Sequence, residues 1–284
     1  MPCFKIVVAY DGTDYVGWQR QANGVSIQGL IEDALRTLDG SAVAVAGAGR
    51  TDSGVHALGQ VAGFTIERAL TPDAVVRALN AHLPDAIRIT SAHEVPPSFH
   101  ARFDAVAKTY RYRIWNGEVA SPFERRYAWH VTGALDVDAM SAAARLVEGR
   151  HDFAAFQASG SDVITTVREV VESRVMRIAD CGLRIDSGLR IADRGFGEIR
   201  NPQSAIDNES ALRNPQSAIL AYEVTGTGFL RHMVRTIVGT LVEVGRGRRP
   251  VEWMAEVLAS RDRAAAGPTA PAAGLCLVRV DYPE

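Results

Sequence analysis

Ala42-Val43-Ala44-Val45-Ala46, then Gly49-Arg50-Thr51-Asp52-Ser53-Gly54-Val55-His56, then Gln60-Val61-Ala62-Gly63-Phe64-Thr65-Ile66: two apolar, strand-like segments enclose a polar turn. Gly47, Gly49 and Gly54 free the backbone to reverse and leave room for another molecule to come close. Two readings of the turn stand side by side. Thr-Asp-Ser-Gly is ordinary turn chemistry, in which Asp hydrogen-bonds its own backbone. Alternatively, Arg50 and Asp52 bring a cation and a carboxylate into one small volume, which is where chemistry would sit.

Working outward, residues 4–10 form a strand pattern ended by Asp11-Gly12. Ile27, Leu30, Ile31, Ala34, Leu35 and Leu38 recur at helical spacing, with Ser26 placed as N-cap and Asp39-Gly40 as the stop. Residues 72–83 predict a second amphipathic helix closed by Pro84, and residues 87–90 another strand. The first half thus reads β-α-β-β-α-β, the order of a split-βαβ, ferredoxin-like unit. The second half echoes it. Strands are predicted at 107–115, 165–178, 220–225 and 275–280, with helices at 136–147, 229–244 and after Pro250. The expected fold class is α+β: two similar ferredoxin-like units, residues 1–104 and 105–284, with mostly antiparallel sheets, helices on one face and a cleft between them. Residues 180–218 repeat Gly-Leu-Arg-Ile and Arg-Asn-Pro-Gln-Ser-Ala-Ile, keep neither helix nor strand period, and are expected to be a flexible insertion at a hairpin tip.

Composition narrows the function classes. Hydrophobic residues make up 47% and charged residues 23% of 284, an average globular balance. Lys and Arg number 31 against 33 acids, so any footprint for nucleic acid must be local. Cys3, Cys181 and Cys276 lie far apart and suit a reducing compartment rather than a disulfide scaffold. The N-terminus runs straight into a strand and no apolar run approaches a membrane span, so a cytoplasmic location is expected. No Walker A motif, dinucleotide fingerprint, G-x-S-x-G elbow or metal-ligand spacing occurs, and neither cofactor nor metal is expected.

The local basic footprint has two parts. Arg231, Arg235, Arg246, Arg248 and Arg249 face the single acid Glu243 within residues 229–250. Residues 98–131 interleave Arg102, Lys108, Arg111, Arg113, Arg125 and Arg126 with Phe99, Phe103, Tyr110, Tyr112, Trp115, Phe123, Tyr127 and Trp129. Cations beside flat rings suit RNA, through phosphate neutralisation and base stacking, although core payload is the commoner use of such aromatics. Arg231 and Arg235 fall one turn apart on the predicted helix, where either could meet a carboxylate and oppose its desolvation. His56 and His232 read as hydrogen-bonding rather than ligand histidines. These features permit cofactor-free chemistry on a nucleotide without naming the reaction. A non-catalytic RNA-binding module and a lyase or hydrolase acting on a small nucleotide are the competing classes.

Beyond the turn, Tyr10-Asp11-Gly12-Thr13-Asp14-Tyr15 with Gly17-Trp18-Gln19, Lys108-Thr109-Tyr110-Arg111-Tyr112, and Asp152-Phe153 with Phe156 appear in order. So do Gly228-Phe229-Leu230 with His232-Met233-Val234-Arg235, and Gly267-Pro268-Thr269-Ala270-Pro271 with Gly274-Leu275. Together with Gly49 to Ala57, this set resembles the TruA family of tRNA pseudouridine synthases over nearly the whole chain. The resemblance implies isomerisation of uridine to pseudouridine at positions 38, 39 and 40 of the tRNA anticodon stem-loop by a homodimer, without cofactor. It implies Asp52 as the nucleophile and Tyr110 as the residue that stacks on the target base and helps remove its C5 proton. Arg50 and Arg235 would position the flipped nucleotide or pair with the aspartate. Arg111, Arg246, Arg248 and Arg249 are expected to contact RNA. The repeats at 180–218 have no counterpart in the family pattern.

Overall fold

The computed structural model describes residues 1–158, 163–178 and 219–283; the repeats expected to form an insertion at 180–218 lie outside them. The first half runs β1 (Cys3–Tyr10), α1 (Ile27–Asp39), β2 (Ala46–Gly47), β3 (His56–Thr65), α2 (Pro72–His82) and β4 (Ile87–Val95). Next come β5 (Ala107–Asn116), β6 (Trp129–Val131), α3 (Val137–Arg145), β7 (Gly149–Asp152), β8 (Val167–Arg177) and β9 (Ile219–Gly226). The chain ends with α4 (Met233–Gly245), α5 (Trp253–Ser260) and β10 (Leu275–Asp281).

Among the described residues, ten strands form one sheet in the order β4-β1-β3-β10-β5-β9-β8-β7, with β2 on β3 and β6 on β5. Its two halves have the same topology. β1-α1-β2-β3-α2-β4 is laid out β4-β1-β3-β2, and β5-α3-β8-β9-α4-β10 is laid out β10-β5-β9-β8. Pairing along each of these four-strand paths is antiparallel, β6 adds to β5 in parallel, and the halves join where β10 runs parallel to β3 at Cys276–His56 and Leu277–Ala57.

Local chemistry explains the helix ends. The Ser26 side chain accepts from the Gly29 N–H at the start of α1, and Gly40 closes it at φ 83°. Thr71 caps α2 ahead of Pro72, and Asp136 caps α3 through the Ala139 N–H. Phe4, Ile6 and Val8 from β1, Ile31 and Leu35 from α1, Tyr112 and Ile114 from β5, and Ile237 and Leu241 from α4 join in one hydrophobic cluster. Each such side chain contributes about 1.5–3 kcal/mol on burial.

Two predicted elements change. Of the strand expected at 42–46, only Ala46 pairs, in β2. Val43 and Val45 are buried and their neighbours exposed, so the segment keeps period-two burial without a ladder. The helix expected from 229 begins only at Met233, because His232 before it adopts the left-handed conformation, φ 64°.

Candidate active site

Register brings the site together. Tyr10 faces Ala57, Ala57 faces Leu277, Leu277 faces Tyr110 and Tyr110 faces Val224, so one row of paired residues crosses the junction between the halves. Paired residues share a face of a sheet. Tyr110, from β5, therefore stands on the same face as Tyr10, which holds the catalytic-looking turn through a 2.8 Å hydrogen bond between its hydroxyl and that of Thr51.

The turn is fixed from several sides. Trp18 N–H donates to the Thr51 carbonyl at 3.1 Å, the Ser53 hydroxyl to the Tyr15 carbonyl at 3.0 Å, and the Gln60 amide to the Gly49 carbonyl at 3.0 Å. Val55 N–H closes it on the Asp52 carbonyl at 3.2 Å, with Gly54 at φ 77°, where an L side chain is strained. Gly47 and Gly49 serve the protein itself. A Cβ at Gly47 would collide with the Trp18 indole, and Gly49 lies against Lys108 Nζ, which donates to the Ala48 carbonyl at 2.7 Å. His56 is buried beneath. Its Nδ1 accepts from the Gly12 N–H at 3.1 Å and lies 3.1 Å from Asp11, while Nε2 meets the carbonyls of Arg126 and Ala273 at 2.9 and 3.1 Å. It is a tie between the turn and three other loops.

Asp52 meets two groups at the start of α4. Arg235 Nη1 lies 3.4 Å and His232 Nε2 3.5 Å from its Oδ2. Arg235 is itself held from behind, since its Nε donates to the Ala270 carbonyl at 2.7 Å and its own carbonyl accepts from the Ala270 N–H. The loop that provides Ala270 lies directly on α4: a Cβ at Gly239 would stand 1.7 Å from the Pro268 oxygen. Arg263 braces it through the Gly267 carbonyl and the Thr269 hydroxyl. The Gly-Pro-Thr-Ala-Pro stretch thus aims the arginine.

Tyr110 packs edge-on against Phe229, centroids 5.1 Å apart. Burial, aided by the nearby Asp52 carboxylate, pushes its phenol well above the ordinary tyrosine value, so it holds its proton at neutral pH. Arg50 is exposed and makes no hydrogen bond or ion pair among the described residues.

The other arginines are distributed differently from the sequence expectation. Arg231 precedes α4, so it does not share a helical face with Arg235. Arg111 donates to Glu223 at 2.8 and 3.0 Å, and Arg174 takes the other oxygen of that carboxylate at 2.6 Å. Glu243 accepts from both Arg246, at 3.5 Å, and Arg248, at 3.1 Å, and so partly neutralises the cluster; Arg249 lies over the Trp253 ring at 5.0 Å. That cluster is at the far end of α4, about 16 Å along the axis from Arg235. Among the basic-segment aromatics, Tyr112 is core, whereas Phe103 and Phe123 are 75% and 85% exposed. Among the described residues, no group of three or more His, Cys, Asp or Glu side chains is placed to hold a metal ion.

The sequence marks His232 as a hydrogen-bonding histidine but does not pair it with Asp52. Its place beside Asp52 depends on a left-handed backbone and a contact across 180 residues of chain (232 against 52), neither of which spacing reveals.

Comparison with known proteins places the chain in a family. The profile of a family described as tRNA pseudouridine synthase matches residues 6–104 and 143–283. The chain is 43% identical over 282 residues to a tRNA pseudouridine synthase A of Syntrophotalea carbinolica, covering 99% of this chain and 97% of the relative. It is 44% identical over 282 residues to that of Myxococcus xanthus (99% and 92% covered) and 42% identical over 284 to that of Moorella thermoacetica (99% and 100%). With a family profile spanning most of its length and relatives of this similarity end to end, the chain belongs to the tRNA pseudouridine synthases.

Proposed function

We propose that the chain isomerises uridine to pseudouridine at positions 38, 39 and 40 of the tRNA anticodon stem-loop, without cofactor, with Asp52 as the nucleophile. The observation that carries this reading is the 3.4 Å contact of Arg235 with Asp52 at the junction of the two halves, with Tyr110 near enough for the carboxylate to raise its phenol. The reaction breaks the N1–C1′ bond of uridine and forms a C5–C1′ bond. C5 gives up a proton and N1 gains one, so the change is redox-neutral and calls for no donor.

The residue roles are those the family resemblance implies, and the geometry supports them. The Asp52 carboxylate reacts with the nucleotide, and Arg235 supplies a permanent charge beside it. Tyr110 stacks on the target base, a role that a protonated phenol fills without ionising. Arg50, exposed and unpaired among the described residues, reaches the strand from which the base has been turned out. Residues 1–104 and 105–284 form the two sides of the RNA cleft, and Arg246, Arg248, Arg249 and Arg111 contact phosphates beyond it. The homodimer follows from the family resemblance, and three scattered cysteines fit a reducing, cytoplasmic location. No helix among the described residues is long and apolar enough to cross a membrane.

The test is incubation of the purified protein with unmodified tRNA, read by tritium release from C5-labelled uridine and by carbodiimide mapping. New pseudouridine at 38–40, lost in Asp52→Asn while tRNA binding persists, is the expected result. No modification at those positions overturns the site assignment, and near-full turnover of the Asn variant overturns the nucleophile.

A further inference from the structure

We propose that His232 is a positioning residue for the reaction: with Arg235 it holds Oδ2 of Asp52, and thereby presents Oδ1 as the oxygen that meets the nucleotide. This rests on the reading that Asp52 is the reacting carboxylate.

The two oxygens of Asp52 have different surroundings. His232 Nε2 and Arg235 Nη1 approach Oδ2, at 3.5 and 3.4 Å, while Oδ1 accepts no hydrogen bond from the described residues. Both contacts lie at the long end of the hydrogen-bonding range, and catalytic contacts of this kind tighten when substrate binds. A carboxylate only accepts, so for His232 to hold it the imidazole nitrogen facing it must carry the proton. Burial pushes His232 below the ordinary histidine value; Asp52 opposes this, and Arg235, Arg231 and Arg263 reinforce it. At neutral pH the ring is therefore uncharged, and the proposed contact with Oδ2 needs the tautomer that carries its proton on Nε2. It orients the carboxylate without adding a second full charge that would hold the nucleophile back.

The backbone supports the same reading. His232 occupies the N-cap of α4, where Ser, Thr, Asp or Asn would accept from a free N–H, yet its side chain makes no capping bond. It lies at φ 64° and ψ −2°, a region that non-glycine residues enter sparingly and that concentrates at functional sites. Local stability is given up at that position, and what the conformation achieves is the direction of the imidazole. With Arg235 anchored on Ala270, the carboxylate meets two donors fixed on one helix start, one charged and one neutral.

The experiment compares single-turnover conversion with tRNA affinity for His232→Gly and His232→Gln, with Asp52→Asn in parallel. Glycine adopts the left-handed backbone freely and removes the imidazole; glutamine restores a neutral N–H donor of similar reach. The Gly variant is expected to convert bound tRNA about 10- to 100-fold more slowly with its Kd within about twofold, the signature of a lost charged hydrogen bond that acts after binding. The Gln variant should recover most of that loss, which a merely structural role would not predict. A Gly variant as fast as the unaltered protein, or a Gln variant as slow as the Gly one, overturns the proposal. An active Asp52→Asn would instead overturn the reading of Asp52 on which it rests.

Discussion

Arg235 Nη1 lies 3.4 Å from Oδ2 of Asp52, although 183 residues of chain separate them. The contact closes the junction between two halves of one sheet: Asp52 comes from the turn before β3, and Arg235 from the first turn of α4. What makes the pair rigid is the third partner, the Ala270 carbonyl, which takes the guanidinium Nε at 2.7 Å. A planar fork can hold a carbonyl and a carboxylate in two directions together; a single ammonium cannot.

Arg235→Lys is therefore expected to behave as a loss rather than as a conservative change. One charged hydrogen bond is worth about 1.5–3 kcal/mol, which puts the conversion rate about 10- to 100-fold lower. Single-turnover tritium release at saturating tRNA measures it, and a lysine variant of unchanged rate would show that the fork geometry is dispensable.

Gly239→Ala tests the same device from the back of the helix. The added Cβ would meet the Pro268 oxygen at 1.7 Å, so the loop must leave α4 and take the Ala270 carbonyl with it. Overpacking of this kind costs about 1–3 kcal/mol. Melting temperature should fall by several degrees, and conversion should fall beyond what the residual folded fraction explains. Thermal unfolding and activity measured on one preparation separate the two effects; loss of stability with full specific activity would uncouple the loop from Arg235.

How far the sequence reveals this arrangement depends on whether the cause is local. Ser26 and Gly40 announce α1 because a cap and a left-handed stop are made by neighbours in the chain. The equivalence of the halves is likewise legible, since each alternates strands and helices in one order. Residues 42–46 mislead for a physical reason: Val43 and Val45 alternate in burial, but apolar period reports which side chains are covered, not which backbones pair. Residues 229–232 mislead for another, because Leu230 is buried and extends the apolar stripe past the true helix start. Asp52, Tyr110 and Arg235 are named by motif resemblance. The register that brings Tyr110 to the turn, and the approach of His232, are long-range facts that one chain does not display.

Glu223 gives a stability prediction with a definite pH sense. Burial pushes its carboxyl up, but hydrogen bonds from Arg174 and Arg111, with their charges, outweigh this and leave it below the ordinary value of 4.5. A depressed folded value means stability that is fully present above the unfolded value and is lost as pH falls through the folded one. Glu223→Gln should therefore cost about 1 kcal/mol at pH 7, a modest amount because both arginines are partly exposed, and the cost should fade on acidification below that window. Urea unfolding midpoints for the two proteins at neutral and acidic pH provide the comparison. A difference that persists undiminished in acid would mean the glutamate acts by packing rather than charge.

The arginines at the far end of α4 should affect binding without affecting chemistry. Arg246 and Arg248 share Glu243, whereas Arg249 meets only the Trp253 ring among the described residues, so its charge is the least compensated of the three. A guanidinium that contacts a phosphate releases a counterion, and its removal lowers the slope of log affinity against log salt by about one. Arg249→Ala is expected to weaken tRNA binding and flatten that slope, with the single-turnover rate at saturating RNA unchanged, because the cluster stands about 16 Å along the helix from Arg235. Arg246→Ala, which removes a partner already committed to Glu243 and only 28% exposed in its side chain, should flatten it less. Filter binding from low to high salt distinguishes the two. Equal slopes in all three proteins would remove this end of the helix from the RNA surface and leave Arg50, exposed and without an ion pair among the described residues, as the cation to test next.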